Sequence, residues 1–543
     1  MTMRFRATKL LLTIPVVLLI AFFYVPLISI LQTGLWENGP TLKFIHSVLA
    51  NSYHRRVIGF TIAQALASTA LTLAIGLPGA YVFAKYDFPG KRVIKAVLTV
   101  PFVMPSVMVA LGFILLFGRS GFITGLIGHD LGILYSWKGI LLAHAFYNFP
   151  IVVRMVSALW QRINPHYEEA AMALGARGWR LFWRVTLPML SPAIFASAML
   201  TFVFCFLSFS IPLIIGGYRY ATIEVDIFTS IMTLLDFRTG SALAVIQITL
   251  SIAFMYLYLR SLDAYARREE QRIMQRPRRM SLSELASLRG LLLIIYALFV
   301  FVFIVSPLLA VLYDSLHFNG QWSIENYRRI FSAEYNPMFG ASTLDAIRNS
   351  LTFGFATVFL SLLVALPIAY AMHRWNFRGK RLLDVLATLP LASSAITLGL
   401  GYIRVFSGTA LYYTPWLLIA AYTIISYPFV LRAVSASLKK IRPNLWEAAL
   451  SLGAKEWKAF LKVELPLALG GLIVGAIFAF AMSIAELGAT YMLAKPEYTT
   501  MTLAVYKFLG ARQFGSASAL SVLLMLISTA GFLLIERTGE EVW

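Results

Sequence analysis

Apolar stretches long enough to cross a bilayer follow one another along most of the chain, separated by short polar connections. They lie near 10–32, 57–85, 93–118, 139–160, 191–216 and 242–259, then near 290–313, 350–373, 382–407, 416–438, 468–494 and 517–536. A helix crosses in about 20 residues, and lipid offers no partner to an open strand's backbone, so each stretch predicts a membrane-spanning helix. The expected fold is all-α and polytopic, about twelve transmembrane helices in two six-helix bundles.

The two groups are copies of one another. A shift of 289 places Pro78 on Pro367, Tyr81 on Tyr370, Pro101 on Pro390 and Gly112 on Gly401, and sets Phe88, Gly90, Lys91 and Arg92 on Phe377, Gly379, Lys380 and Arg381. After 11 extra residues around 119–137 the shift becomes 278, which brings Pro150 and Arg154 onto Pro428 and Arg432. An even number of crossings keeps both copies in one orientation, related by a pseudo-twofold axis along the membrane normal, with the pathway expected between them. The expected units are a first half at 1–259, a linker at 260–289 and a second half at 290–543.

Composition narrows the class: 59% of the 543 residues are hydrophobic and 13% charged, which excludes an ordinary water-soluble enzyme. The net charge of +21 would suggest nucleic acid in a soluble protein. With the N-terminus set in the cytoplasm, however, the inside segments hold 26 Lys and Arg in 117 residues against 12 in 133 outside. That asymmetry predicts both termini in the cytoplasm and leaves no need for a nucleic-acid partner. The linker carries eight Arg, including Arg267, Arg268, Arg278 and Arg279, and reads as a cytoplasmic segment suited to anionic membrane lipid. No small-x-small cleavage pattern follows the first apolar stretch, so it reads as a retained helix. Cys205 stands alone in an apolar run, where it reads as a packing residue.

The chemistry concentrates in the long inside loops at 161–190 and 439–467. Residues 163–188 read INPHYEEAAMALGARGWRLFWRVTLP and 441–466 read IRPNLWEAALSLGAKEWKAFLKVELP, with 13 of 26 positions identical, so the loops share a constraint beyond packing. Each contains Glu-Ala-Ala, three residues and Gly: Glu169, Ala170, Ala171 and Gly175, then Glu447, Ala448, Ala449 and Gly453. Asn164 and Pro165, or Pro443 and Asn444, suit a helix start, and the glycines its C-terminal turn. Arg177, Arg180 and Arg184, mirrored by Lys455, Lys458 and Lys462, share their turns with Trp179, Phe182, Trp457 and Phe460, predicting an amphipathic interfacial helix.

This pattern resembles the EAA loop of permease subunits in binding-protein-dependent ATP-binding cassette (ABC) importers, with Val185 and Val463 where Ile is usual. Doubled on twelve spans, it is similar to the fused inner-membrane permeases of the iron(III) and thiamine group. The resemblance implies that 169–175 and 447–453 are coupling segments, each docking on one of two copies of a cytosolic ATPase subunit. It also implies a periplasmic or extracellular solute-binding protein and alternating access across the cell inner membrane. No Gly-x4-Gly-Lys-Ser/Thr sequence occurs, so ATP and Mg are expected on the partner, and this chain is expected to be no enzyme and to bind no cofactor. The alternative, a twelve-span ion-coupled secondary transporter, has no reason to keep two ATPase-docking loops. Glu486-Leu487-Gly488-Ala489-Thr490 looks more like iron permeases, and Leu142-Ala143-His144 through Pro150 is equally similar to thiamine permeases, which ranks iron(III) first and thiamine next.

Four residues are candidates for the pathway. Glu486 lies in the apolar run 468–494, where an acid is costly enough to imply function, and its counterpart is Ser208. His144 falls in the fourth span beside Tyr147 and Asn148. Glu224 follows Gly216 and Gly217 in an outer segment, beside the expected mouth. No cluster has the residue types of a catalytic centre or a resident metal site.

Overall fold

The computed structural model describes residues 12–88, 90–269, 278–279, 287–375 and 377–538. The first half contains α1 (Leu12–Leu35), α2 (Ser52–Lys85), α3 (Lys91–Val103), α4 (Ser106–Phe117), α5 (Trp137–Arg162), α6 (Pro165–Ala173), α7 (Gly178–Phe206), α8 (Ile223–Met232) and α9 (Phe237–Glu269). The second repeats the order with α10 (Gly290–Ser315), α11 (Thr343–Arg374), α12 (Lys380–Thr388), α13 (Ala395–Phe406), α14 (Pro415–Lys440), α15 (Pro443–Ser451), α16 (Leu469–Ala485), α17 (Gly488–Leu493), α18 (Met501–Gly510) and α19 (Phe514–Thr538). Among the described residues, ten helices are long and apolar enough to span, and twelve result when two sharply bent pairs each count once.

In each half three helices form the centre, α2 with α5 and α7, and α11 with α14 and α16. The most apolar stretch of α5 is 83% buried and that of α14 72%, against 28% for α1 and 17% for α10, so the opening helix of each half lies at the periphery. There Leu291, Leu292, Ile295 and Phe299 of α10 are exposed, as side chains meeting lipid should be.

The opening helices cross between the halves. α1 packs on α9 of its own half and on α13 of the other, while α10 packs on α19 and on α4. The seams are equivalent. A Cβ on Gly401 would stand 2.8 Å from the Pro26 Cβ and 3.0 Å from its carbonyl oxygen, and one on Gly112 would stand 2.9 Å from both atoms of Pro307. The aligned pair of glycines is therefore what lets the two halves close on each other's first helix.

Turns and breaks follow local chemistry. Gly90 and Gly379, at φ +80° and +100°, start α3 and α12, a left-handed conformation that a side chain would strain. The third span of the second half bends by 99° between Ala392 and Ala395, where the Ser394 hydroxyl accepts from the Thr397 amide and caps α13. The fifth spans, expected to be continuous over 191–216 and 468–494, are instead interrupted after Phe206 and Ala485. The outer segments after them fold back inward as α8 and α18, anchored alike: the Ile223 amide donates to Thr61 Oγ1 at 2.9 Å and the Met501 amide to Ser350 Oγ at 2.8 Å. Of the linker, α9 continues through Glu269 and Arg278–Arg279 pair in parallel with Tyr86–Asp87. Residues 270–277 and 280–286, with Arg272, Arg276 and Glu284, lie outside the described residues, as does 1–11.

Candidate functional site

The two EAA loops form short helices with almost nothing packed against them. α6 buries none of its side chains and α15 only Trp446. Glu169, Ala170, Glu447 and Ala448 are exposed, with Ala171 and Ala449 half-buried behind them. Glu169 makes one local bond, from His166 Nδ1 at 2.9 Å. Gly175 and Gly453 stop the helices at φ +88° and +82°. The Ala176 amide then reaches back to the Ala171 carbonyl at 2.9 Å and the Ala454 amide to Ala449 at 3.0 Å, which closes the last turn. Leu174 and Leu452, just before these glycines, are 90% and 89% exposed. Leaving these apolar side chains in water forfeits about 1.5–3 kcal/mol each relative to burying them.

The chain leaves both loops through a widened helical turn, Phe182–Thr186 and Phe460–Glu464. Pro188 and Pro466 have no N–H to bond the carbonyl four residues back and their rings crowd it, so the turn opens there.

A three-part joint ties each loop helix, α6 and α15, to its bundle. In the first half, Lys85 at the end of α2 donates to Glu168 Oε2 at 3.0 Å, and Glu168 Oε1 accepts from Thr186 Oγ1 at 3.0 Å. In the second, Arg374 at the end of α11 donates through Nε to Glu464 Oε2 at 3.1 Å and through Nη2 to Oε1. Its guanidinium also lies 4.2 Å over the Trp446 ring. The repeat shifts equate Lys85 with Arg374, Glu168 with Trp446 and Thr186 with Glu464. The same three positions meet in both halves, but the acid sits on the loop helix in one and on the outgoing turn in the other.

The pathway candidates converge in part. Glu224 is not at an outer mouth: α8 carries it into the protein, where it is fully buried. An apolar run, Ile223 to Met232, pulls the segment inward and the acid travels with it. Gln247 Nε2 donates to Glu224 Oε1, Thr397 Oγ1 donates to Gln247 Oε1 at 3.2 Å, and Ser394 Oγ stands 3.0 Å from Thr397 Oγ1. This chain of bonds runs from the first half into the second. Glu486 sits in the break after α16, where its Oε1 accepts from the Ala489 amide at 3.2 Å and so caps α17. A Cβ on Gly488 would stand 3.2 Å from both Glu486 Oε1 and the Ala395 Cβ, so this break borders the start of α13, next to the Ser394 end of that chain of bonds. Ser208 occupies the matching break in the first half, half-buried. His144 is buried one helix away, its Nδ1 3.2 Å from Ser68 Oγ, with Asn148 Nδ2 donating to its carbonyl at 3.0 Å. Among the described residues no three His, Cys, Asp or Glu side chains come close enough to hold a metal ion.

Sequence reasoning passed over Leu174 and Leu452, although their identity in both loops was a usable signal. It also passed over the two joints, whose exchanged acid hides them from a search for identical residues.

Two six-span repeats with an interior polar chain running between them are the architecture of a multi-pass membrane transport protein. The chain belongs to the family described as the inner membrane component of binding-protein-dependent transport systems, whose model matches residues 74–270 and 286–538. It is 27% identical over 521 residues to a putative ferric transport system permease of Haemophilus influenzae, covering 92% of this chain and 80% of that one. It is 25% identical over 521 residues to the thiamine transport system permease of Salmonella typhimurium, covering 93% and 92%. A bacterial ABC transporter involved in import of the acidic polysaccharide alginate aligns over 46% of this chain and 93% of its own, at 17% identity and a TM-score of 0.36. The protein is thus a fused permease of an ABC importer, of a family that works with an ATPase and a binding protein, and not a secondary carrier.

Proposed function

We propose that this permease imports a small cationic solute, iron(III) first and thiamine next, received from a periplasmic binding protein and released to the cytoplasm by alternating access. The observation that carries the cation is the placement of two acids from different halves at the start of α13, fully buried Glu224 through Gln247 and Thr397, and half-buried Glu486 beside Gly488 and Ala395. A carboxylate held away from bulk water is poorly solvated, and a passing cation relieves that cost where a neutral or anionic solute does not. Relatives named for ferric and thiamine transport support the same class. In this reading Ser208 and His144 are polar groups along the route.

Both termini and both coupling loops face the cytoplasm in this reading, consistent with the Lys and Arg asymmetry. Two copies of the ATPase engage 169–175 and 447–453, one each, with Leu174 and Leu452 as apolar contacts and Glu169 and Glu447 as charged ones. ATP and Mg are handled on those subunits. Domain boundaries at 259 and 290 separate the halves, with the linker on the ATPase side.

The test is ATP-driven uptake in proteoliposomes holding the permease, its ATPase and its binding protein. Changing Glu169→Lys and Glu447→Lys together should abolish ATPase association and uptake, and unchanged uptake overturns the coupling assignment. Iron(III) and thiamine are offered separately, and accumulation of neither sinks the substrate reading while leaving the permease class intact.

A further inference from the structure

At the end of the second half that carries its coupling helix, α11, α12 and α14 enclose a cavity of about 550 Å³. Its floor is apolar, from Ala369, Met372 and Leu431, and its rim is cationic, from Lys380, Arg381, Arg432 and Lys439, with His373 beside them. Arg432 is paired with Asp384 at 3.5 Å and His373 stands 3.6 Å from Glu464. Lys380, Arg381 and Lys439 have no ion-pair partner among the described residues. On the cavity wall the Ser435 hydroxyl is buried with no hydrogen-bond partner. Three unspent cations and an unused hydroxyl around one void are a donor set waiting for acceptor oxygens.

The wall also points to the level of the membrane. α12 meets α13 at a bend of 99° and is two-faced: Lys380, Arg381 and Asp384 line the cavity, while Leu382 and Val385 are 61% and 50% exposed. A short helix with charges on one side and bare aliphatics on the other lies along the headgroup layer. Basic pockets between spans on the cytoplasmic side are where anionic headgroups are held.

We propose that this cavity is an anion site for a phosphate group, supplied either by the headgroup of an anionic phospholipid or by a soluble phosphate. Lys380, Arg381 and Lys439 supply the charge, Ser435 a neutral donor, and the apolar floor takes the carbon attached to the phosphate. The choice of source rests on the cytoplasmic placement of the coupling loops made above; the site itself does not.

The full chain is placed in nanodiscs of phosphatidylcholine with a minor fraction of phosphatidylglycerol, and retained lipid is counted by native mass spectrometry. In pure phosphatidylcholine discs, inorganic phosphate is titrated against chloride at equal ionic strength, with melting temperature as the readout. One of these should register on the wild type: retention of phosphatidylglycerol identifies the lipid source, a phosphate-specific rise in melting temperature the soluble one. The triple variant Lys380→Gln, Arg381→Gln, Lys439→Gln should weaken that response roughly a hundredfold, at about fivefold per cation. These side chains are half-exposed or exposed, so folding should survive the change. Ser435→Leu removes the neutral donor and pushes an aliphatic chain into the void while leaving the charge unchanged, and it should weaken the response too. No response from the wild type, or a response that Ser435→Leu leaves intact, overturns the site, because diffuse surface charge needs no cavity. Labelling of Ser451→Cys from one side of intact cells checks the orientation separately.

Discussion

In the proposed coupling role of α15, force on that helix enters the bundle through Arg374 and Glu464, and replacing Glu464 by Gln tests this. The carboxylate is fully buried and holds Arg374 by two bonds, while the guanidinium rests on Trp446 of the coupling helix. Removing one partner of a fully buried ion pair costs about 3–5 kcal/mol. Arg374 retains the face of Trp446 and is 16% exposed, so water reclaims part of its charge and the expected loss is about 2 kcal/mol. For a bundle of this size that is a fall of about 5 °C in melting temperature. Uptake should fall further than stability, and ATPase association should persist, because the exposed surface of α15 is untouched. The first half suggests a rescue. Trp446→Glu with Glu464→Thr rebuilds the Lys85, Glu168 and Thr186 arrangement, and the double variant should transport better than Glu464→Thr alone. Full uptake by Glu464→Gln, or a double variant no better than the single, would refute the joint.

Three further outcomes follow from the same geometry. Leu174→Ser with Leu452→Ser should loosen ATPase binding by roughly tenfold to a hundredfold per site, from about 1.5–3 kcal/mol of lost burial each, read by co-purification and titration. Glu486→Gln should keep a cap acceptor for the Ala489 amide, leaving melting unchanged while uptake of the cation drops; equal uptake removes Glu486 from the route. Gly112→Val and Gly401→Val should each lower stability by about 1–3 kcal/mol, because Pro307 and Pro26 present rigid ring and backbone atoms within 3.0 Å of the added Cβ. Unaltered melting would mean that the crossing helices are not seated there.

Much of this molecule was open to reading without coordinates, for reasons that are local. A bilayer demands some twenty apolar residues in a row, so the spans announced themselves, and two copies of one plan left Gly112 on Gly401 and one EAA loop on the other. Gly175 and Gly453 could be read as helix stops because a left-handed C-terminal turn depends on the residue that makes it. Hydrophobicity could not reveal the breaks at Glu486 and Ser208, since an unwound residue in an apolar run has the same composition as a helical one. Only the packed structure decided that Glu224 is interior, that its chain of bonds reaches α13 of the opposite half, and that α1 and α10 exchange places across the seam. Those depend on which distant segments share a volume, and a linear pattern carries no term for that. The joints show the division most sharply: Lys85, Glu168 and Thr186 look unlike Arg374, Trp446 and Glu464 in letters, yet each trio meets in space and pairs one half-buried cation with one acid.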